Sequence, residues 1–293
     1  MAIILNPRAG SAPQQPELVR TLAQAAVIAD IHRVPADRED VADWIGSLAR
    51  QYDTLVAAGG DGTVSTVAAA AVKAGKTLGV IPAGTLNHFA RDAGIPLQLE
   101  PAVTALAARH TTLLDVGIVN DRVFVNNASI GAYPRMIWER NRVRQRGLPK
   151  PIAYALAIID TWLELSWLSV RLWMDNQELV RRSPFVVVGN NEYEVEGMHF
   201  GKRPTMTAGR LSLYVAPDSG RLDLLALTVR ALLRRLKPYE KFEAWTASTI
   251  SIEMSQREVD VALDGEINVL EPPLRFGSKP RALKVIVPVE REG

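Results

Sequence analysis

The chain has 293 residues, 47% of them apolar and 23% charged, enough for about two globular domains at ~150 residues each and too hydrophobic for a disordered chain. Its 34 basic and 32 acidic residues leave a net charge of +2, so no global field argues for a nucleic-acid partner and none is expected. The absence of cysteine excludes disulfides, thiolate metal sites and a Cys nucleophile, and the four histidines (His32, His88, His110, His199) lack zinc-type spacing.

The start, "MAIILNPRAGS", has a short apolar run and no basic segment before it, so it is not read as a signal peptide. The first predicted element is a strand, "AIIL", at Ala2–Leu5. Helices follow over Pro16–Ala29 and Arg38–Gln51, the second with Val41, Trp44, Ile45 and Leu48 on one face. "TLVAA" (Thr54–Ala58) reads as a buried strand, Val64–Ala74 as a helix and "TLGVIP" (Thr77–Pro82) as another strand. Helices are then expected near Leu86–Ala93 and Leu99–Arg109. This alternation predicts a parallel sheet covered by helices on both faces, with ligands bound outside the carboxyl ends of the strands.

From about Thr111 the texture turns β-rich, with hairpin signals at Asn120-Asp121 and Asp175-Asn176. Helices are expected near Pro134–Gln145, Ile152–Leu165 and Val229–Leu236. The long apolar stretch from Pro151 carries Asp160 and Glu164 near its middle, which argues against a membrane span. The expectation is an α/β domain over 1–115 and a β-sandwich domain over 116–293, the last strand (about 282–289) packing on either. The tryptophans Trp162, Trp167 and Trp173 are expected in the core. A cytoplasmic protein, at most peripheral to the inner face of the membrane, is expected.

Chemistry concentrates at three strand ends. Gly59-Gly60-Asp61-Gly62-Thr63 joins a buried strand to a helix. Glycines there permit positive φ and close approach of a ligand to the backbone, and the helix start offers unpaired N–H groups and about half a positive charge. Thr63 is placed to cap the helix or contact an oxygen. Asp61 would repel a phosphate unless Mg²⁺ lies between them; the plainer alternative is an Asp that only caps backbone N–H groups. "IPAGTLNHFARDAGIP" repeats the strand–turn–helix arrangement with Gly84, Thr85 and Asn87, and "LNPRAG" ends the first strand with Asn6 and Arg8. In a parallel sheet these three ends open on the same side.

Taken together, the Asn-Pro strand end, Gly-Gly-Asp-Gly-Thr and Pro-Ala-Gly-Thr-x-Asn-x-x-Ala-Arg resemble the diacylglycerol kinase catalytic domain family, which includes bacterial lipid kinases and sphingosine kinases. "NNASIGAYP" (Asn126–Pro134), "APDSGRLDL" (Ala216–Leu224) and "LDGE" (Leu263–Glu266) extend the resemblance through most of the chain. It implies a front domain like that of phosphofructokinases and NAD kinases, with ATP and Mg²⁺ as cofactors. By similarity, Gly59, Gly60, Asp61, Gly62 and Thr63 hold phosphate and metal. Gly84, Thr85, Asn87, Asn6 and Arg8 complete the nucleotide side. Asp264, otherwise a hairpin-turn residue, becomes the base toward a lipid hydroxyl, with Glu266 supporting it or a metal. Asp218 is a candidate ligand for a second, structural Mg²⁺, although a plain Asp-Ser-Gly turn fits as well. Many relatives have Asp at the position of His88 and Ser at that of Ala9.

Two basic stretches, Arg140–Lys150 and Arg230–Lys237, are either solvated faces or contacts for anionic headgroups, the latter at roughly 1 kcal/mol per basic residue near the surface. The implied activity is phosphorylation of a lipid hydroxyl, with transient membrane contact. A soluble-substrate kinase of the NAD kinase type and a nucleotide-binding regulator without catalysis are the alternatives.

Overall fold

The front half is built on four parallel strands, β1 (Ala2–Leu5), β2 (Asp30–Arg33), β3 (Thr54–Gly59) and β4 (Thr77–Pro82), in the order β2-β1-β3-β4. The computed structural model describes residues 1–35, 41–145, 167–175, 177–196, 199–216 and 243–289. The strands β1, β3 and β4 are near-continuous apolar runs because both sheet faces are covered. Their side chains alternate between two cores. Ala2, Ile4, Leu55, Ala57, Leu78 and Val80 meet helices α2 (Val41–Ala49) and α3 (Asp61–Ala74) through Ile45, Leu48, Val64, Val67 and Ala71. Ile3, Leu5, Val56, Ala58 and Ile81 meet α1 (Gln15–Gln24) and α5 (Leu99–Ala108) through Leu18, Leu22, Val103 and Leu106. A short helix, α4 (His88–Asp92), adds Phe89 and Ala90 to the first core.

Two local readings change. The end of the helix expected over Pro16–Ala29 is replaced by a turn that leads into β2, an edge strand too polar to announce itself. Helix α3 begins at Asp61, three residues before the expected Val64, so Asp61 and Gly62 lie in its first turn. It stops at Gly75, whose φ of 65° lets its N–H reach back to Ala71 and Val72 carbonyls.

The back half continues through β5 (Thr111–Val119), β6 (Arg122–Phe124), β7 (Asn127–Gly131), helix α6 (Ala132–Gln145), β8 (Leu168–Met174), β9 (Gln177–Ser183) and β10 (Phe185–Asn190). Next come β11 (Val195–Glu196) and β12 (His199–Phe200), a separate two-stranded ladder, then β13 (Leu211–Val215), β14 (Glu243–Ala247) and β15 (Thr249–Glu253). The chain closes with β16 (Val259–Leu263), β17 (Glu266–Leu270) and β18 (Leu274–Ile286). One antiparallel sheet runs β14-β13-β10-β7-β16-β17. It faces β8, β15 and β18 across a core that includes Ile130, Val188, Leu213, Leu263, Leu172, Ile252 and Phe276. This is the expected sandwich behind an α/β layer. Strand β18 pairs antiparallel with β15 and β5 and, through Lys284 and Val285, parallel with Thr77 and Leu78 of β4. The sheet of the front half thus runs on into the sandwich.

Trp173 is 40% exposed, on the outward face of β8, and so is not the core residue expected. Trp162, Asp218 and the helices expected over Ile152–Leu165 and Val229–Leu236 lie outside the described residues.

Candidate active site

The three strand ends meet. The Asn6 N–H donates to the Ala58 carbonyl, the Ala83 N–H to Gly59 and the Ser11 N–H to Ala83. The Asn6 side chain donates from Nδ2 to Thr63 Oγ1 (3.0 Å) and accepts the Arg8 N–H at Oδ1 (3.1 Å). Thr63 is therefore a tie between β1 and α3 rather than a helix cap, and α3 has no side-chain cap. Helix geometry leaves the N–H groups of Asp61, Gly62 and Thr63 without intrahelical acceptors. Asn6, Arg8, Gly60, Asp61, Gly62, Thr63, Thr66 and Glu266 are among the residues lining a cavity of about 530 Å³ at this point.

The glycines act by size, not by positive φ as expected, since Gly59, Gly60, Gly62 and Gly84 all lie outside the left-handed region. A Cβ on Gly59 would overlap the Thr63 side chain, and one on Gly84 would stand 2.6 Å from Gly60 Cα. A Cβ on Gly62 would stand 2.8 Å from Glu266 Oε1. Gly60 and Gly84 let two loops touch; Gly62 lets the back half approach the front.

Asn87 has its side chain occupied: Oδ1 accepts the Gly84 N–H (2.8 Å) and Nδ2 donates to the Gly84 carbonyl (2.9 Å). It holds the second loop in shape from a left-handed backbone position, φ 51°. Thr85 is exposed. Gly84, held by Asn87, thus buttresses Gly60, and none of Gly84, Thr85 and Asn87 lines the cavity. Asp61 Oδ1 accepts the Phe89 N–H at 3.4 Å, a long contact that leaves most of the carboxylate available. Arg8 is exposed, with its guanidinium 3.4 Å from the Pro35 carbonyl.

Asp264 and Gly265 form the two-residue turn between β16 and β17, with φ of 49° and 88°, the backbone that an Asp-Gly hairpin supplies. The Asp264 side chain turns back from it. Its Oδ1 accepts N–H groups from Asn126 (2.7 Å) and Asn127 (3.0 Å), and its Oδ2 accepts the Val125 N–H (2.8 Å) and the Ser65 hydroxyl (2.5 Å). Burial pushes this carboxyl above its ordinary value, and the bonds from Ser65 and the three amides pull the other way. Glu266 is also raised, first by partial desolvation where it lines the cavity and then by the charge of Asp264, although the residue as a whole stays exposed to solvent.

Ser65 escaped the sequence reading. Its only signal is spacing: it follows Asp61 by four residues, on the same helix face. Also unread was Arg203, fully buried and bound to Asp92 of α4 through Nε–Oδ2 at 2.6 Å. The same guanidinium donates to the carbonyls of Val125 (2.6 Å) and Asn190 (3.3 Å) and to Asn126 Oδ1 (3.0 Å). Arg203 thus clamps the segment whose amides hold Asp264.

Among the described residues no cluster of three or more acidic or histidine side chains could cage a metal. Asp61 and Glu266, however, line one cavity. Two carboxylates completed by substrate phosphate and water suit Mg²⁺, which seldom occupies an all-protein cage.

Comparison with known proteins agrees with this geometry. Residues 1–119 match the family description "Diacylglycerol kinase catalytic domain", and residues 129–287 match "YegS C-terminal NAD kinase beta sandwich-like domain". The two matches cover the two halves in order, and the chain belongs to this diacylglycerol kinase and YegS-type family. Among its relatives, a diacylglycerol kinase of Staphylococcus haemolyticus is 29% identical over 60% of this chain and 54% of its own length. A Klebsiella pneumoniae protein named "Probable lipid kinase YegS-like" is 36% identical over 47% of each chain. The matched segment thus spans about half the length of these curated relatives. A diacylglycerol kinase structure from Bacillus anthracis superposes with a TM-score of 0.69 over 98% of this chain and 96% of the other at 21% identity, a likeness of fold.

Proposed function

We propose that the chain transfers the γ-phosphoryl group of ATP to a hydroxyl of a lipid, diacylglycerol or a related molecule. The observation that carries this reading is the meeting of Asp264, from the sandwich, with Ser65, one turn past Asp61 on the helix that starts at the glycine loop. A transferable phosphoryl group and a carboxylate need that proximity, and a turn residue does not.

The free N–H groups at the start of α3 and the Asn6–Thr63 pair bind and orient the triphosphate. Asp61 and Glu266 hold Mg²⁺, which when bound offsets charge on the phosphate oxygens. An aspartate, even one with a raised pKa, cannot strip a proton from an alcohol in advance, because an alcohol is a far weaker acid than a carboxylic acid. The transition state of phosphoryl transfer is loose, so the proton leaves late and Asp264 is its final acceptor. The acceptor comes from a membrane surface that the protein meets transiently from the cytoplasmic side. Among the described residues no helix is long and apolar enough to cross the membrane.

Incubation with labelled ATP, Mg²⁺ and a total lipid extract, with NAD in parallel, tests the reading. Label in an extractable lipid supports it, with Asp264→Asn abolishing turnover while ATP binding persists. Label only in the dinucleotide, or in no acceptor, overturns it.

A further inference from the structure

Resting on the phosphotransfer reading, we infer that Ser65 is a catalytic residue, the group that takes the proton directly from the substrate hydroxyl and passes its own to Asp264. The argument is a count of lone pairs. A carboxylate has about four acceptor positions. Asp264 fills four, with amides of Val125, Asn126 and Asn127 and the hydroxyl of Ser65. An incoming alcohol therefore finds no vacant acceptor on Asp264. Three of the four donors are amide N–H groups, which do not release protons to a carboxylate. Ser65 alone supplies an O–H.

The hydroxyl of Ser65 has one proton, engaged on Asp264 Oδ2, and two lone pairs to which no donor is assigned among the described residues. Both Ser65 and Asp264 are partly open to solvent, and Ser65 shares its helix face with Asp61. Next to them, Gly62 brings α3 against Glu266. The pair thus presents the Ser65 oxygen, not the carboxylate, to an acceptor beside the phosphate loop.

The step balances. The substrate oxygen forms the new O–P bond as the bond from the γ-phosphorus to the bridging oxygen breaks, leaving ADP. The substrate proton moves to Ser65 Oγ while the Ser65 proton moves to Asp264 Oδ2. Afterwards Asp264 donates to Ser65 along the same 2.5 Å line, and the three amide bonds persist. The alternative, in which Ser65 merely plugs Asp264 and swings aside, predicts the reverse effect of removing it.

The test compares wild type with Ser65→Ala, Ser65→Thr, Asp264→Asn and the Ser65→Ala/Asp264→Asn pair in the labelled-ATP lipid assay. Thermal melting and ATP-analogue binding are measured alongside. The relay predicts a kcat loss of about 100-fold or more for Ser65→Ala with little change in KM for ATP, and substantial retention in Ser65→Thr. It predicts a double variant no slower than the slower single one. Wild-type or higher kcat in Ser65→Ala overturns it. A measurement on the unaltered protein guards against a folding defect: the rate in H₂O–D₂O mixtures should curve as two protons in flight require, and a linear dependence overturns the relay. Failure of wild type to label any lipid overturns relay and phosphotransfer together, whereas an active wild type with an active Ser65→Ala overturns the relay alone.

Discussion

Nε of Arg203 lies 2.6 Å from Oδ2 of Asp92, and both side chains are almost wholly removed from solvent. The pair joins the helix after the second glycine loop to the loop before β13. Removing one partner strands a buried charge, which typically costs 3–5 kcal/mol. Arg203→Ala and Asp92→Asn should each lower stability by about that much, measured by urea denaturation. Arg203 also fixes the segment 125–126, so turnover should fall in Arg203→Lys even where the fold survives. A Lys variant with unchanged stability and kcat would show that the clamp is dispensable.

Two glycines should respond differently to the same added methyl group. At Gly84 the new Cβ meets the Gly60 backbone at 2.6 Å, which can yield only by moving a loop, so Gly84→Ala should cost about 1–3 kcal/mol of stability. At Gly62 it meets the end of the Glu266 side chain at 2.8 Å, which can rotate away. Gly62→Ala should therefore melt near wild type yet need more Mg²⁺ for half-maximal activity. Melting curves and Mg²⁺ titrations of both variants separate the two effects.

The raised carboxyls of Asp264 and Glu266 set a direction for pH dependence. The folded state holds their protons to higher pH than the unfolded chain does. Their contribution to stability is complete below the ordinary carboxylate value of ~4 and declines as pH climbs toward the raised folded values. With Asp264 as the proposed proton acceptor, activity needs it ionised, so kcat should rise across the same window. Urea midpoints and kcat followed over that range should move in opposite senses, and Asp264→Asn should reduce the slope of the stability curve. A stability that increases through the window would contradict the assignment.

Asn6 links two strand ends through its donor to Thr63 and its acceptor for the Arg8 N–H. Asn6→Ala should destabilise by about 1 kcal/mol. Asn6→Asp should weaken binding of an ATP analogue more than Asn6→Ala does, because it loses the donor and adds a negative charge beside phosphate. Calorimetric titration of both variants ranks them, and equal affinities would remove Asn6 from the nucleotide side.

Much of this was legible in the residues, for reasons that also explain what was not. Buried parallel strands are apolar runs, so β1, β3 and β4 stood out, and each ended in, or was followed within two residues by, glycine or asparagine. The edge strand Asp30–Arg33 has no apolar run and passed as the aftermath of a helix. The site residues cluster near the glycine loop because strand register carries them there. Ser65 is four residues from Asp61 but 199 from Asp264 in sequence, and no local pattern encodes that pairing. Arg203 and Asp92, 111 residues apart, are an ordinary Arg and Asp until the sandwich buries them together. Asn87 was read as a ligand group because a polar amide at a helix start looks available, whereas its bonds to Gly84 are visible only in three dimensions.

Strand β18 reaches β4 through just two register pairs among the described residues, Lys284 with Thr77 and Val285 with Leu78. They bring β18, roughly two hundred residues later in sequence than β4, to the rim of a sheet begun by residue 2. During synthesis, the front half must wait with that rim unzipped until Lys284 and Val285 have been added. A truncation between the front half and β18 would release a polypeptide with a raw, adhesive border, so it should yield aggregates rather than a working phosphate-binding fragment.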